Sequence, residues 1–219
     1  MNESEKRLNR SAARMSLCAL LAQSLNYPDS VLVESLVRGD FADKSLDALN
    51  TLGIGGQADA LQALRGEYGE PGIDPVALLL EIEKDYTRMC FASKPRLVYL
   101  FESVYKEGTL YDESTFQIAR LYYDAGLKVE EAFSLPPDHI AVELEFLSFL
   151  NFKEKEGIRT GDRKIEDYAV ELQKKVLEDH LRGFALSLAE RLGTHARTNF
   201  FRTLAGIMMA FFSEPANLV

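Results

Sequence analysis

Apolar residues recur along this chain at three- and four-residue steps, the period of helices that bury one face. Leu8, Ala12, Met15, Ala19 and Ala22 draw the first such stripe. Tyr27-Pro28-Asp29 ends it, with Asp29 placed to cap a short successor. From 39 to 74 the period weakens, and Gly53, Gly55, Gly56, Gly66, Gly69 and Gly72 punctuate it, which predicts short helices joined by loops. Asp74-Pro75 is a start signal, a capping acid followed by proline at the first helical position. The helix it opens carries Leu79, Ile82, Tyr86 and Met89 on one side until Lys94-Pro95 breaks it. Pro95 to Tyr111 is aromatic and irregular. Asp112 caps a further helix, which Gly126 closes.

Two prolines, Pro136 and Pro137, then set an extended approach, and Asp138 is placed to accept from the amides of Ile140 or Ala141. This helix is expected to run to about Lys155, with a polar connection over 156–162. From about Lys164 to Leu192 the pattern is long and changes face. Ile165, Ala169, Leu172 and Val176 share one stripe, while Leu177, Leu181, Phe184 and Leu188 share another about 100° away. This implies a kink or break near Glu178–His180, with an end at Gly193. The last helix begins near Thr194 and uses Phe201, Leu204, Ala205, Met208, Phe211 and Phe212. There is no convincing strand pair and no repeat of fixed period. The pattern predicts an all-α fold, a single bundle of roughly ten helices over residues 1–219, with 91–111 and 156–162 as candidate hinges.

Charge narrows the partners. The 219 residues carry a formal net charge of −9, which repels polyphosphate and anionic lipid. Nucleic acid and stable membrane insertion are therefore not expected, and a cationic segment is the better electrostatic match. An acidic surface that merely keeps the chain in solution explains the same number. The longest apolar run, Leu204 to Phe212, falls well short of the ~20 residues of a bilayer span. The polar start is unlike a secretory signal, so a cytoplasmic location is expected. Cys18 and Cys90 form no Cys-x-x-Cys and are expected to be small buried hydrophobes.

The motifs of common enzymes are missing. Histidine occurs at His139, His180 and His195, and the residues three before these are Pro136, Leu177 and Leu192. That excludes the Glu-x-x-His pair of di-iron bundles. No His-Glu-x-x-His, Gly-x-Ser-x-Gly, Walker A or Gly-x-Gly-x-x-Gly sequence occurs. No catalytic residue, metal or cofactor is assigned. What stands out is the helix after Asp138: on a wheel, His139 and Glu143 fall inside its apolar arc, one turn apart, whereas Glu145 falls on the polar side. A buried carboxylate needs a partner or a wet cleft. Three readings stay open: a structural hydrogen bond at the helix start, the wall of a ligand groove, or metal and acid–base chemistry.

Four segments carry a family likeness. Pro136-Pro137-Asp138-His139-Ile140-Ala141-Val142-Glu143-Leu144 resembles the signature of the TorD/DmsD family of cytoplasmic redox-enzyme maturation chaperones. Tyr86 to Phe91 resembles its Tyr-x-x-Leu-Phe segment, and Glu102-Ser103-Val104-Tyr105 matches its Glu-Ser-Val-Tyr. His180-Leu181 resembles its His-Leu-x-x-Trp, with Phe184 where tryptophan is typical. The likeness spans about residues 10 to 213. It implies an all-α, non-catalytic protein that binds the twin-arginine leader and the catalytic subunit of a molybdopterin-dependent oxidoreductase. Carried over by motif, the peptide-binding residues are Pro137, Asp138, His139 and Glu143, with Tyr86, Tyr105 and Phe184 beside them. A homodimer is left open. The competing readings are a nucleotide hydrolase using Asp138, His139 and Glu143, and an assembly scaffold that exchanges helices.

Overall fold

The computed structural model describes residues 2–127, 135–214 and 218–219, and among these it forms eleven α-helices and no sheet. The first, α1 (Glu3–Leu25), opens on a capping box in which Asn2 and Glu5 satisfy each other's amides. The short helices α2 (Ser30–Val37), α3 (Asp40–Leu52) and α4 (Ala58–Tyr68) come next, and Asp29 caps α2 through the Leu32 amide at 2.8 Å. In α5 (Pro75–Thr87), Asp74 and Pro75 act as their spacing predicts. A π-helical turn, Arg88–Ala92, extends α5 to the Lys94-Pro95 break. Then come α6 (Glu102–Lys106), α7 (Glu113–Asp124), α8 (Ile140–Thr160), α9 (Arg163–Val176), α10 (Arg182–His195) and α11 (Asn199–Ser213). The hairpin of α8 and α9 packs on α1, α10 pairs with α11, and α1 also meets α3. Phe41, Phe200, Phe201, Phe211 and Phe212 are the largest fully buried side chains of the core.

The buried face of α1 differs from the apolar stripe. It runs through Ser11, Arg14, Cys18, Leu21 and Leu25, while Ala19 is exposed and Leu8, Ala12 and Met15 are half-buried. Polar partners on α8 rotate the face. Ser11 Oγ donates to the Asn151 carbonyl at 2.7 Å, and Arg14 donates to Asn151 Oδ1 at 2.8 Å and to Glu154 at 2.7 Å. Gln173 of α9 closes the network on Glu154 at 3.1 Å. Hydrophobic period alone is blind to a helix interface built around an ion pair.

The face change near Glu178–His180 is a π-helical turn over Leu177–Leu181. Such a turn inserts one residue beyond the α-helical count, so the helix after it is rotated by about 100°. That is the offset between the two apolar stripes, and it lets α9 bury Ala169, Leu172 and Val176 while α10 buries Phe184, Ala185, Leu188 and Leu192. Gly193 does not end α10; it lies inside the helix, where its bare Cα faces Ala205 of α11. The last helix starts at Asn199, later than the pattern predicts: Thr198 caps it, its hydroxyl accepting from the Phe201 amide, while Asp85 of α5 holds the Arg197 and Thr198 amides just before it at 2.8 Å each.

The 156–162 connection is shorter than expected. α8 continues to Thr160, Gly161 turns the corner at φ +73°, and Asp162 caps α9. Gly157 lets the two helices touch, since a Cβ there would lie 2.7 Å from the Glu166 amide nitrogen. Among the described residues no helix is long and apolar enough to cross a membrane. Both cysteines are free and buried, and burial pushes each thiol up to about 12.

The Arg14–Glu154 pair yields a stability test. Arg14→Leu strands a buried carboxylate and should cost about 3–5 kcal/mol in urea unfolding. Arg14→Leu combined with Glu154→Leu should recover most of that loss; a double variant as unstable as the single one would contradict the account.

Candidate functional site

Residues 99–106 and 135–143 meet at a small latch. The Phe101 and His139 backbones form an antiparallel bridge, with Ile140 N donating to the Leu100 carbonyl at 2.8 Å and Glu102 N to the Asp138 carbonyl at 2.9 Å. Asp138 then closes it: one carboxylate oxygen accepts from Ser103 Oγ at 2.6 Å and from Ser103 N at 3.1 Å. Asp138 thus caps α6, not its own helix. His139 is the N-cap of α8, and its Nδ1 accepts from the Ala141 amide at 3.2 Å. The expected Asp138 cap is corrected here, because Ser103 outcompetes the local amides for its carboxylate. The Phe101 ring meets the His139 imidazole edge to face at 5.3 Å.

α6 is held from its other side by the π-helical turn of residues 177–181. Glu102, fully buried, accepts from His180 Nδ1 at 3.0 Å and from Lys106 Nζ at 2.7 Å. Lys106 Nζ also donates to the Asp179 carbonyl, an oxygen of the turn where the regular helical ladder is interrupted. From α7, Tyr122 donates to the Pro137 carbonyl at 2.8 Å and meets Phe146 of α8 edge to face.

Glu143 completes a group of three enclosed carboxyls with Glu102 and Asp138. It is 0% exposed, and among the described residues neither of its oxygens has a hydrogen-bond partner. His139 is one turn away, but the two side chains do not bond to each other, so the structural pair envisaged from the wheel does not form. Burial raises the Glu143 carboxyl well above its ordinary value; Glu102 and Asp138 push the same way and Lys106 opposes them. The neutral form of Glu143 is therefore favoured over the charged one. The stability this provides is full below the ordinary carboxyl range and is lost as pH climbs through the raised value. For His139, burial lowers the imidazole to about 4 against the pull of Asp138. Its contribution is present above the ordinary value of 6.5 and is lost as pH falls through about 4. The two groups pull stability in opposite directions with pH.

The other expected site residues divide. Pro137 is half-buried beside the latch. Tyr105, on α6, donates to the Tyr99 carbonyl at 3.1 Å and packs on Phe184 of α10 at 5.2 Å. Tyr86 belongs elsewhere: it donates to the Leu25 carbonyl at 2.9 Å and lies among Tyr27, Phe91 and Phe201. Glu102, Ser103, Lys106 and Tyr122 are partners that motif reading did not assign. The Glu102–Lys106 spacing of four was the one available signal; Ser103 and Asp138, 35 residues apart, gave none. Among the described residues no group of histidine, cysteine and acidic side chains is arranged to hold a metal.

Comparison with known proteins gives the family and the fold. Residues 45–190 match the family described as nitrate reductase delta subunit. A chaperone protein TorD from Vibrio parahaemolyticus is 28% identical over 169 residues, covering 77% of this chain and 69% of that protein. A chaperone protein TorD from Escherichia coli O45:K1 is 28% identical over 130 residues, 59% of each. A solved structure of a proposed redox enzyme maturation protein from Archaeoglobus fulgidus superposes with a TM-score of 0.54 at 24% identity, over 92% of this chain and 94% of that one. It shares the all-α fold.

Glu143→Gln keeps the shape of the neutral acid and removes the charge. Its melting temperature should exceed that of the parent at pH 8, with the gap closing toward pH 4.5. A gain of the same size at every pH, or a loss at pH 8, would contradict a raised Glu143 carboxyl.

Proposed function

The chain belongs to the nitrate reductase delta subunit family, and from that membership we propose that it is a cytoplasmic chaperone for a molybdopterin-dependent oxidoreductase. It binds the twin-arginine leader of that client, its catalytic subunit, or both, assists cofactor insertion and delays export until the client is mature. One observation carries the reading: the matched stretch, 45–190, contains Glu102, Asp138, His139, Glu143 and His180, so the enclosed acid group and the region shared with the family coincide. The relatives are named as chaperones and not as enzymes.

In this reading the leader enters where α6 meets the start of α8. Pro137 and Tyr105 form a half-buried rim, Asp138, His139 and Glu143 back it, Phe184 supports Tyr105, and Tyr86 belongs to a neighbouring aromatic layer. Asp138 and Glu143 are both 0% exposed, so an arginine reaches them only if the latch opens. What supports an opening is how little joins the two segments: one isolated bridge, the Asp138–Ser103 contact and the Phe101–His139 ring contact. The whole chain acts as one domain, with 91–111 and 156–162 as its hinges.

Magnitudes assign the labour. A fully buried leucine or phenylalanine of the leader contributes ~1.5–3 kcal/mol, and an exposed acid–arginine pair only ~0–1. Three or four apolar side chains therefore supply roughly micromolar binding after ordering costs, and the acids select arginine.

A synthetic twin-arginine leader should bind with a Kd of about 1 μM. Making its apolar stretch polar should abolish binding, and replacing its arginines by lysine should weaken it less. Ser103→Ala, which loosens the latch and leaves every acid in place, should lower the melting temperature and tighten leader binding. Steep loss of binding in moderate salt, with no loss for the polar peptide, would reverse the assignment.

A further inference from the structure

We propose that the outward face of α7, with the groove that continues it between α8 and α9, docks the apolar stretch of an arginine-bearing client segment. The proposal rests on the leader-binding reading and places a contact surface outside the enclosed acid group. Phe116 and Tyr123 are 66% and 76% exposed. They stand seven residues apart, hence on one face of the helix, with Glu113 and Arg120 in the same arc. Just before the helix, Leu110 and Tyr111 are also exposed, and Tyr111 adopts φ +61°, a conformation that bulky residues seldom take. Isolated apolar side chains on a surface need no explanation; several along one tract mark an interaction surface.

The tract runs on into a groove. Tyr168 of α9 donates to the Asp124 carbonyl at 3.0 Å, so α9 abuts the last turn of α7. There a groove of about 190 Å³ opens, lined by Ala125, Phe149, Ile165 and Tyr168, with Lys153 Nζ lying 5.3 Å from the centre of the Phe149 ring. Its volume suits a leucine- or phenylalanine-sized side chain.

Charge says what covers it. Among the described residues, Asp112 and Glu113 border the α7 face with no cationic partner, and Glu145 sits one turn before Phe149. The cations present, Arg120 and Lys153, are engaged with Asp124 and the Phe149 ring. Aromatic side chains ringed by unpaired carboxylates complement a segment that is both apolar and basic, and they repel nucleic acid and anionic lipid. The inner side of the same helix carries Tyr122, which bonds Pro137 beside the latch. α7 is thus the wall shared by the outer face and the acid group.

The chain contains no tryptophan, so a peptide with two adjacent arginines, an apolar stretch and one tryptophan reports its own burial by fluorescence. The parent protein should shift that emission to the blue. Phe116→Glu with Tyr123→Glu, and separately Ile165→Glu, should each weaken binding about tenfold or more with an unchanged helical spectrum. Phe116→Ser with Tyr123→Ser is the milder pair should the acidic one unfold. Parent binding that survives all these variants overturns the proposal and leaves the leader-binding reading standing. No binding to the parent overturns both. Parent dimers that the variants dissolve, with peptide affinity unchanged, would make a second copy the occupant and overturn the proposal as well.

Discussion

Three carboxyl groups, Glu102, Asp138 and Glu143, are enclosed within one small region, and most of the surrounding architecture answers the electrostatic cost of putting them there. Each is dealt with differently. Glu102 is charge-compensated by Lys106 and hydrogen-bonded by His180. Asp138 uses one oxygen to receive the hydroxyl and amide of Ser103. Glu143 has no hydrogen-bond partner among the described residues, and its burial favours the neutral form. These needs fix the positions of α6, of the π-helical turn that carries His180 and of the start of α8, because each delivers one of the partners. Removing the acids in thought leaves α6, a helix of five residues, with little reason to form.

The π-helical turn at Leu177–Leu181 serves packing and polarity together. It rotates the apolar stripe so that α9 can face α8 while α10 faces α11, and it interrupts the regular hydrogen-bond ladder. Lys106 fills that interruption at the Asp179 carbonyl. The turn at Arg88–Ala92 is resolved in the same way, by the next segment of the chain: Leu97 and Val98 amides both reach the Met89 carbonyl, at 3.0 and 3.1 Å. Both turns adjoin motifs of the family likeness, which ties those motifs to backbone irregularities as well as to side-chain chemistry.

Legibility from sequence divides along the line between local and distant causes. The caps at Asp29, Asp74 and Asp112 and the close at Gly126 act within a few residues of themselves, and each is where spacing puts it. So is the face change before His180, since the two stripes are written in one stretch of chain. Partners set from afar are not: Asp85 holds the segment before α11, Ser103 takes Asp138 from its own helix, and Asn151 with Glu154 rotates α1. The burial of His139 and Glu143 could be read from the wheel. Their separate fates could not, because Glu102, which bears on the charge of Glu143, lies 41 positions away on another helix.

The enclosed group and the outer face of α7 form one system, because Tyr122 belongs to both. Its hydroxyl holds the Pro137 carbonyl and its ring packs edge to face with Phe146, so a displacement of α7 is felt at the residue preceding Asp138. Burial, reinforced by the carboxyls of Glu143, Glu102 and Asp138, pushes the Tyr122 phenol well above its ordinary range, so it remains a hydrogen-bond donor at any physiological pH. A peptide lying on Phe116 and Tyr123 therefore bears on the latch through a contact that does not titrate, whereas the Glu143 carboxyl behind the latch is shifted by its burial. Binding at the surface and protonation in the interior are then two separate influences on the same junction of α6 and α8. Their coupling is reciprocal, since whatever opens the junction changes both the affinity of the face and the charge that Glu143 can carry.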